Sequence, residues 1–318
     1  MSQNCLVIGG NGFIGSHLVR RLCQTGRSVT SLDARPVQPT DELAAVTYIT
    51  GDYGDRALME KLVATHQEII HLAYATQPNT SFDDPLTDLL QNLPATVQLF
   101  ELAAKHQTSV LFVSSGGTVY GDSKASPIVE NHPTVPISPY GVTKLTLEKY
   151  AHLYAKTKGL KVCCVRPSNP FGPGQRPFSG QGFVSTAIAL AMQGKAIPVF
   201  GAFGTIRDYL YIDDLIEGII TVMQTGYDDE IYNIGSGIGR SNMQVLRALQ
   251  PRLEQLGVSM EIHHLPERPF DVKCNVLDTT KLQNLGWQPS TDFNDGLDQT
   301  VRWLLDNRDQ FQSCTNDA

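Results

Sequence analysis

The segment Ser138-Pro139-Tyr140-Gly141-Val142-Thr143-Lys144 sets a phenol and a primary amine four residues apart. Ser138 suits a helix N-cap and Pro139 the first helical position, so the segment predicts a helix start. On a helix, that spacing puts both side chains on one face. An ammonium beside a phenol stabilises the phenolate, so Tyr140, with an ordinary pKa of about 10, can work as a base nearer neutrality. The chemistry on offer is proton and hydride exchange at a hydroxyl. Upstream, Val113-Ser114-Ser115-Gly116-Gly117-Thr118-Val119-Tyr120-Gly121 ends a β-rich run and offers hydroxyls that could join the pair.

A second constellation lies at the N-terminus. Gly9-Gly10-Asn11-Gly12-Phe13-Ile14-Gly15 follows an apolar run and opens a helical pattern. Small residues let such a turn tighten and let backbone approach a pyrophosphate, whose charge the helix N-terminus stabilises. Asp33 ends the next strand, where a carboxylate can accept hydrogen bonds from the adenosine ribose. That carboxylate would repel the extra phosphate of NADP and favours NAD, with Arg35 pulling the other way. Gly51-Asp52, followed by Tyr53, closes the third strand, either beside the adenine or as a plain turn. His71, inside Ile69-Ile70-His71-Leu72-Ala73, reads as a packed, hydrogen-bonded histidine rather than a catalytic one.

In this order along the chain, these motifs make the sequence resemble the extended short-chain dehydrogenase/reductases, and within them the UDP-galactose 4-epimerase group. The resemblance runs from Gly9 to Trp303. It implies that Tyr140 is the general acid/base, that Lys144 holds the nicotinamide ribose and tunes Tyr140, and that Leu72 and Ala73 lie beside the cofactor. Relatives carry a catalytic Ser or Thr where this chain has Gly116, leaving Ser115 or Thr118 to supply the hydroxyl. Related 4,6-dehydratases carry an acid in this stretch, where Gly117 and Thr118 stand here, which favours simple oxidation and reduction at carbon 4. The resemblance further implies that Asn169 contacts the sugar or diphosphate, that Arg207 and Arg268 bind the diphosphate through their planar donor forks, and that Asp271 holds the nucleoside ribose.

These side chains need a scaffold. Fully apolar runs suggest parallel strands buried on both faces at Asn4–Ile8, Ser28–Asp33, Val46–Thr50, Glu68–Leu72, Ser109–Ser114 and Lys161–Arg166. Helices are expected at Phe13–Thr25, Arg56–Thr65, Leu86–His106, Pro139–Lys158, Asp213–Gln224, Asn242–Leu256 and Phe293–Asn307. Pro94 should kink or split the third of these near Leu93. The fold class is therefore α/β, a Rossmann-type doubly wound parallel sheet with a smaller C-terminal α/β substrate-binding lobe. Residues 1–170 with about 206–235 form the NAD-binding part, and 171–205 with 236–318 form the lobe. The lobe includes the Pro/Gly-rich stretch after Arg166 and the His263–Asp271 segment. The default site is the cleft between the two.

A net charge of −7 over 318 residues gives no footprint for nucleic acid or an anionic membrane. The N-terminus lacks a leader pattern, so a cytoplasmic protein is expected. The six cysteines lack zinc-site spacing and read as reduced thiols, with no metal expected. The expected function is a nucleotide-sugar 4-epimerase with tightly held NAD, homodimeric by resemblance through the third and fourth helices, with a UDP-sugar the favoured substrate. Its alternatives are a 4-keto-6-deoxy-sugar reductase using exchangeable NAD(P)H, kept open by Gly116, and a non-catalytic dinucleotide sensor.

Overall fold

Each β-rich run of the first half is a strand in the computed structural model, which describes residues 4–38, 41–78, 80–225, 227–268 and 272–311. The strands are β1 (Asn4–Ile8), β2 (Ser28–Asp33), β3 (Val46–Thr50), β4 (Glu68–His71), β5 (Ser109–Val113) and β6 (Val162–Pro167). Between them run α1 (Phe13–Gln24), α2 (Arg56–Thr65), α3 (Pro85–His106) and α4 (Pro139–Lys158). The later chain adds β7 (Asn169–Phe171), α5 (Phe183–Met192), β8 (Ile197–Phe200), β9 (Ile206–Tyr211), α6 (Ile212–Met223) and β10 (Ile231–Ile234). It ends with β11 (Gly239–Ser241), α7 (Asn242–Glu254), β12 (Ile262–Leu265), β13 (Cys274–Asn275), α8 (Thr280–Gln283) and α9 (Phe293–Asp306).

Seven strands form one parallel sheet in the order β10-β6-β5-β4-β1-β2-β3. Alternation explains the apolar runs. Cys5 and Val7 of β1 face a core with Leu18 and Leu22 of α1, while Leu6 and Ile8 face another with Leu99 and Phe100 of α3. The order reverses beside β1, where β2 lies on one side and β4 on the other. That is the switch point where ligands of doubly wound sheets sit, beyond the carboxyl ends of the strands.

Helix α3 runs unbroken through Pro94, contrary to the split that proline suggests. Its length packs against α4, and tertiary burial outweighs the local loss of one donor. A smaller sheet, β11-β9-β13 with β7 on β9, and a separate β8/β12 pair make up much of the rest. The Pro/Gly-rich stretch after Arg166 enters that sheet at once through β7. Helix α5 and strand β9 had no clear pattern of their own, since α5 is apolar nearly all round.

Candidate active site

The loop at the end of β1 shows why its glycines are there. Gly9 has φ +87°, and a Cβ on it would stand 2.7 Å from the Ala73 backbone nitrogen, so loop and β4 exit touch backbone to backbone. A Cβ on Gly15 would lie 2.1 Å from the Gly9 carbonyl oxygen, so only glycine lets α1 close onto the loop. Gly12 occupies the N-cap of α1 with no side chain capping that end, leaving first-turn N–H groups for something else to bind. Asp33, at the tip of β2, accepts hydrogen bonds from the Asn11 nitrogen at 3.1 Å and the Arg35 nitrogen at 3.0 Å.

A cleft of about 570 Å³ opens above this loop. Gly9, Gly12, Phe13, Ile14, Gly15 and Leu72 form part of its wall. Tyr140 and Lys144, from the first turns of α4, line the same cleft with Ser115, Thr118, Asn169 and Arg207. Ser138 caps α4 as its sequence implies, its Oγ accepting from the Gly141 nitrogen at 3.1 Å. Lys144 Nζ donates to the Val113 carbonyl at 2.8 Å and lies 5.7 Å from the Tyr140 ring centroid. Arg207 donates to the Val272 carbonyl at 2.7 Å.

Other candidates lie outside the cleft walls. Asp52 is exposed and closes a turn by accepting from the Gly54 nitrogen at 2.8 Å. Tyr53 packs its ring on His71 with centroids 5.0 Å apart. Ala73 backs the glycine loop, and Arg268 is exposed with its guanidinium stacked 3.6 Å from the Phe200 ring centroid. Asp271 lies outside the described residues. Sequence reasoning passed over Tyr74, Thr76, Gln175, Gln181, Tyr209 and Asn242, all in the walls. Tyr209 had a signal, since it sits two residues past Arg207, and Gln175 and Gln181 lie in the Pro/Gly-rich stretch after Arg166, whose length marks a candidate binding loop; the others come from segments without a motif.

A family profile described as the NAD dependent epimerase/dehydratase family matches residues 5–235. This chain belongs to that family. The UDP-glucose 4-epimerase of Thermotoga maritima, solved with UDP-glucose, is 32% identical, with a TM-score of 0.89 over 96% of this chain and 99% of that one. The Thermus thermophilus UDP-glucose 4-epimerase, solved with NAD, is 30% identical, with a TM-score of 0.86 over 98% of this chain and 100% of that one. The dTDP-glucose 4,6-dehydratase of Streptomyces niveus is 31% identical across 95% of this chain and 93% of its own length.

As an NAD-dependent family member, the chain must leave polar groups for a dinucleotide and its substrate. Buried polar atoms normally find partners. Yet Ser114 Oγ, Thr118 Oγ1, Ser168 Oγ and Asn169 Oδ1 are buried without a hydrogen-bond partner, and all four residues wall this one cleft. Together with the uncapped α1 terminus, they suit a bound ligand rich in donors and acceptors. Among the described wall residues the charged ones are Lys144 and Arg207, with no Asp or Glu.

The electrostatics of the pair run against the expectation from spacing alone. Burial drives the Lys144 ammonium down to about 7, partly offset by the negative charges of Asp88 and Glu148. Burial, and then the Asp88 charge, push the Tyr140 phenol up rather than down. The physical reason is desolvation, which penalises both charged forms and which spacing does not reveal. His71 is held neutral, lowered by burial to about 3, and its Nε2 pairs with Thr96 Oγ1 at 3.0 Å.

Gly116 also has a structural explanation. A Cβ there would point at Leu277 Cδ1, 2.6 Å away, and at the Arg166 carbonyl, 2.9 Å away, rather than into the cleft. A Cβ on Gly117 would meet nothing closer than Asn169 Oδ1 at 3.8 Å, so that residue leaves the cleft open.

Proposed function

We propose that this chain is a nucleotide-sugar 4-epimerase acting on a UDP-hexose or UDP-N-acetylhexosamine. One observation carries the reading: Tyr140, Lys144, Ser115 and Thr118 share a cleft with the glycine loop, and no carboxylate is present in its described walls. Without an acid there to move protons at neighbouring carbons, 4,6-dehydration lacks its means. When bound, NAD supplies a reversible hydride acceptor for carbon 4 of the sugar.

The chain's own groups do the rest. Tyr140 removes the 4-hydroxyl proton and later returns it. Lys144 would orient the nicotinamide ribose, and its ammonium, where charged, favours the phenolate. Thr118, whose buried Oγ1 lacks a partner, is the favoured hydroxyl to bond the reacting oxygen, with Ser115 beside it. Arg207 engages the diphosphate, and Asn169 the sugar or phosphate. Gly9, Gly12, Phe13, Ile14 and Gly15 hold the pyrophosphate of NAD, with Asp33 at the adenosine ribose. The 4-keto sugar turns within the cleft to present its other face. Gly116 would favour a one-way reductase only if a hydroxyl were missing from the cleft, and position 116 does not face it.

The test is purified protein incubated with UDP-glucose, UDP-GlcNAc and UDP-glucuronate without added cofactor, with released small molecules identified after denaturation. Retained NAD and a 4-epimer are expected. Conversion that requires supplied NAD(P)H, or a 4-keto-6-deoxy product, would overturn the reading.

A further inference from the structure

Tyr74 follows Ala73 at the mouth of β4 and belongs to no motif. Its ring lies 4.1 Å from Lys144 Nζ, closer than either other aromatic ring around that ammonium, and meets the Tyr140 ring edge-on with centroids 4.7 Å apart. Behind it, in the first turn of α3, Asp88 is 0% exposed. The Asp88 carboxylate accepts from Thr143 Oγ1 at 2.6 Å, from the Thr76 hydroxyl, and, at a longer 3.5 Å, from the Tyr74 hydroxyl. One buried carboxylate thus ties the segment carrying Tyr74 to the helical turn carrying Lys144.

We infer that Tyr74 and Asp88 are positioning residues for the Tyr140/Lys144 pair: Asp88 fixes the Tyr74 ring against the Lys144 ammonium, and ring face and carboxylate together favour its charged form against the cost of burial. The inference rests on reading Tyr140 and Lys144 as the acid/base pair. A ring face carries negative charge density and attracts a desolvated cation within about 6 Å. A buried carboxylate acts through a medium that screens poorly.

The titratable groups around Lys144 single out Asp88. His71, at the end of β4, is neutral. Glu148, one turn along α4, is paired with the Arg166 guanidinium at 2.9 and 2.6 Å, which offsets its charge. Asp88 is held by hydroxyls and forms no ion pair among the described residues. The same charge keeps the proton on Tyr140, so removing it should lower the titration of both groups.

The experiment is Asp88→Asn, which preserves shape, with Lys144 titrated by NMR in the cofactor-free, substrate-free chain carrying isotope-labelled lysine. The Lys144 midpoint should fall by about one pH unit or more. In turnover, both limbs of the pH–rate profile should move acidic while KM for the nucleotide sugar holds. Tyr74→Leu should also lower the Lys144 midpoint, and Tyr74→Phe, which keeps the ring, should restore it. A midpoint unmoved in both Asp88→Asn and Tyr74→Leu, with only folding yield reduced, would overturn the inference. If Asp88→Asn fails to fold, the Leu/Phe comparison at Tyr74, a cleft-wall residue, decides alone. Because the titration needs no substrate, the expected shifts in a chain that epimerises nothing would overturn the activity and leave this inference standing.

Discussion

At the scale of single residues, the spacing of Tyr140 and Lys144 told which groups meet but not how they titrate. Burial decides that. Lys144 holds a proton up to about 10.5 when unfolded and only to about 7 when folded. The unfolded chain therefore binds more protons between those values, and stability should rise with pH through that window. The cost of burying the ammonium is full below pH 7 and disappears near pH 10. Thermal melts of the cofactor-free protein should show Lys144→Met more stable than wild type at pH 7, with the gap closing towards pH 10. A gap that stays constant would mean Lys144 is not desolvated as described. Gly116 gives a second residue-scale prediction. Gly116→Ser should not raise kcat and should cost about 1–3 kcal/mol, because its Cβ has nowhere to go. A gain in kcat, measured beside a denaturant melt, would show that position 116 reaches the cleft after all.

At the scale of elements, local chemistry specified the two helices that carry the site. Ser138 caps α4 and Pro139 starts it, so the turn bearing Tyr140 begins where the sequence says. The close fit of α1 on its loop depends on Gly15, where a Cβ would stand 2.7 Å from Gly10 Cα as well as against the Gly9 carbonyl. Gly15→Ala should push α1 off the loop, and NAD released on denaturing the purified protein should drop at least tenfold below wild type. Full retention would mean the loop can relax. Pro94 shows the limit of local rules, since its lost hydrogen bond neither split α3 nor moved its start from the Asp84 cap. The apolar α5 and the short strands of the smaller sheet carried too little periodicity to be read.

At the scale of the whole molecule, α3 and α4 expose Leu86, Leu90, Val142 and Leu153, which are 67%, 63%, 49% and 48% exposed. Apolar side chains in that number on two adjoining helices are where the homodimer expected by resemblance would form. A homodimer through this face is the expected state, and Leu90→Glu should convert it to a monomer by light scattering at micromolar concentration. Wild type running as a monomer would remove the surface from consideration. Among the described residues no helix is long and apolar enough to cross a membrane.

What the sequence determined was local: the alternation of strands and helices, the glycine loop and its helix start, the capped turn with Tyr140 and Lys144. Each depends on period, spacing or a turn's steric demand, and those survive in one dimension. What only the tertiary structure decided was directional or collective. It turned Thr118 and Ser115 into the cleft and Gly116 away from it. It put Arg207 in the walls and Arg268 on a phenylalanine outside them. It brought Tyr74 and Asp88, from a loop and a helix far upstream, beside Tyr140 and Lys144, and it set the sign of both titrations through desolvation. Direction and burial depend on what folds against a residue, and neighbours distant in the chain leave no trace in local spacing.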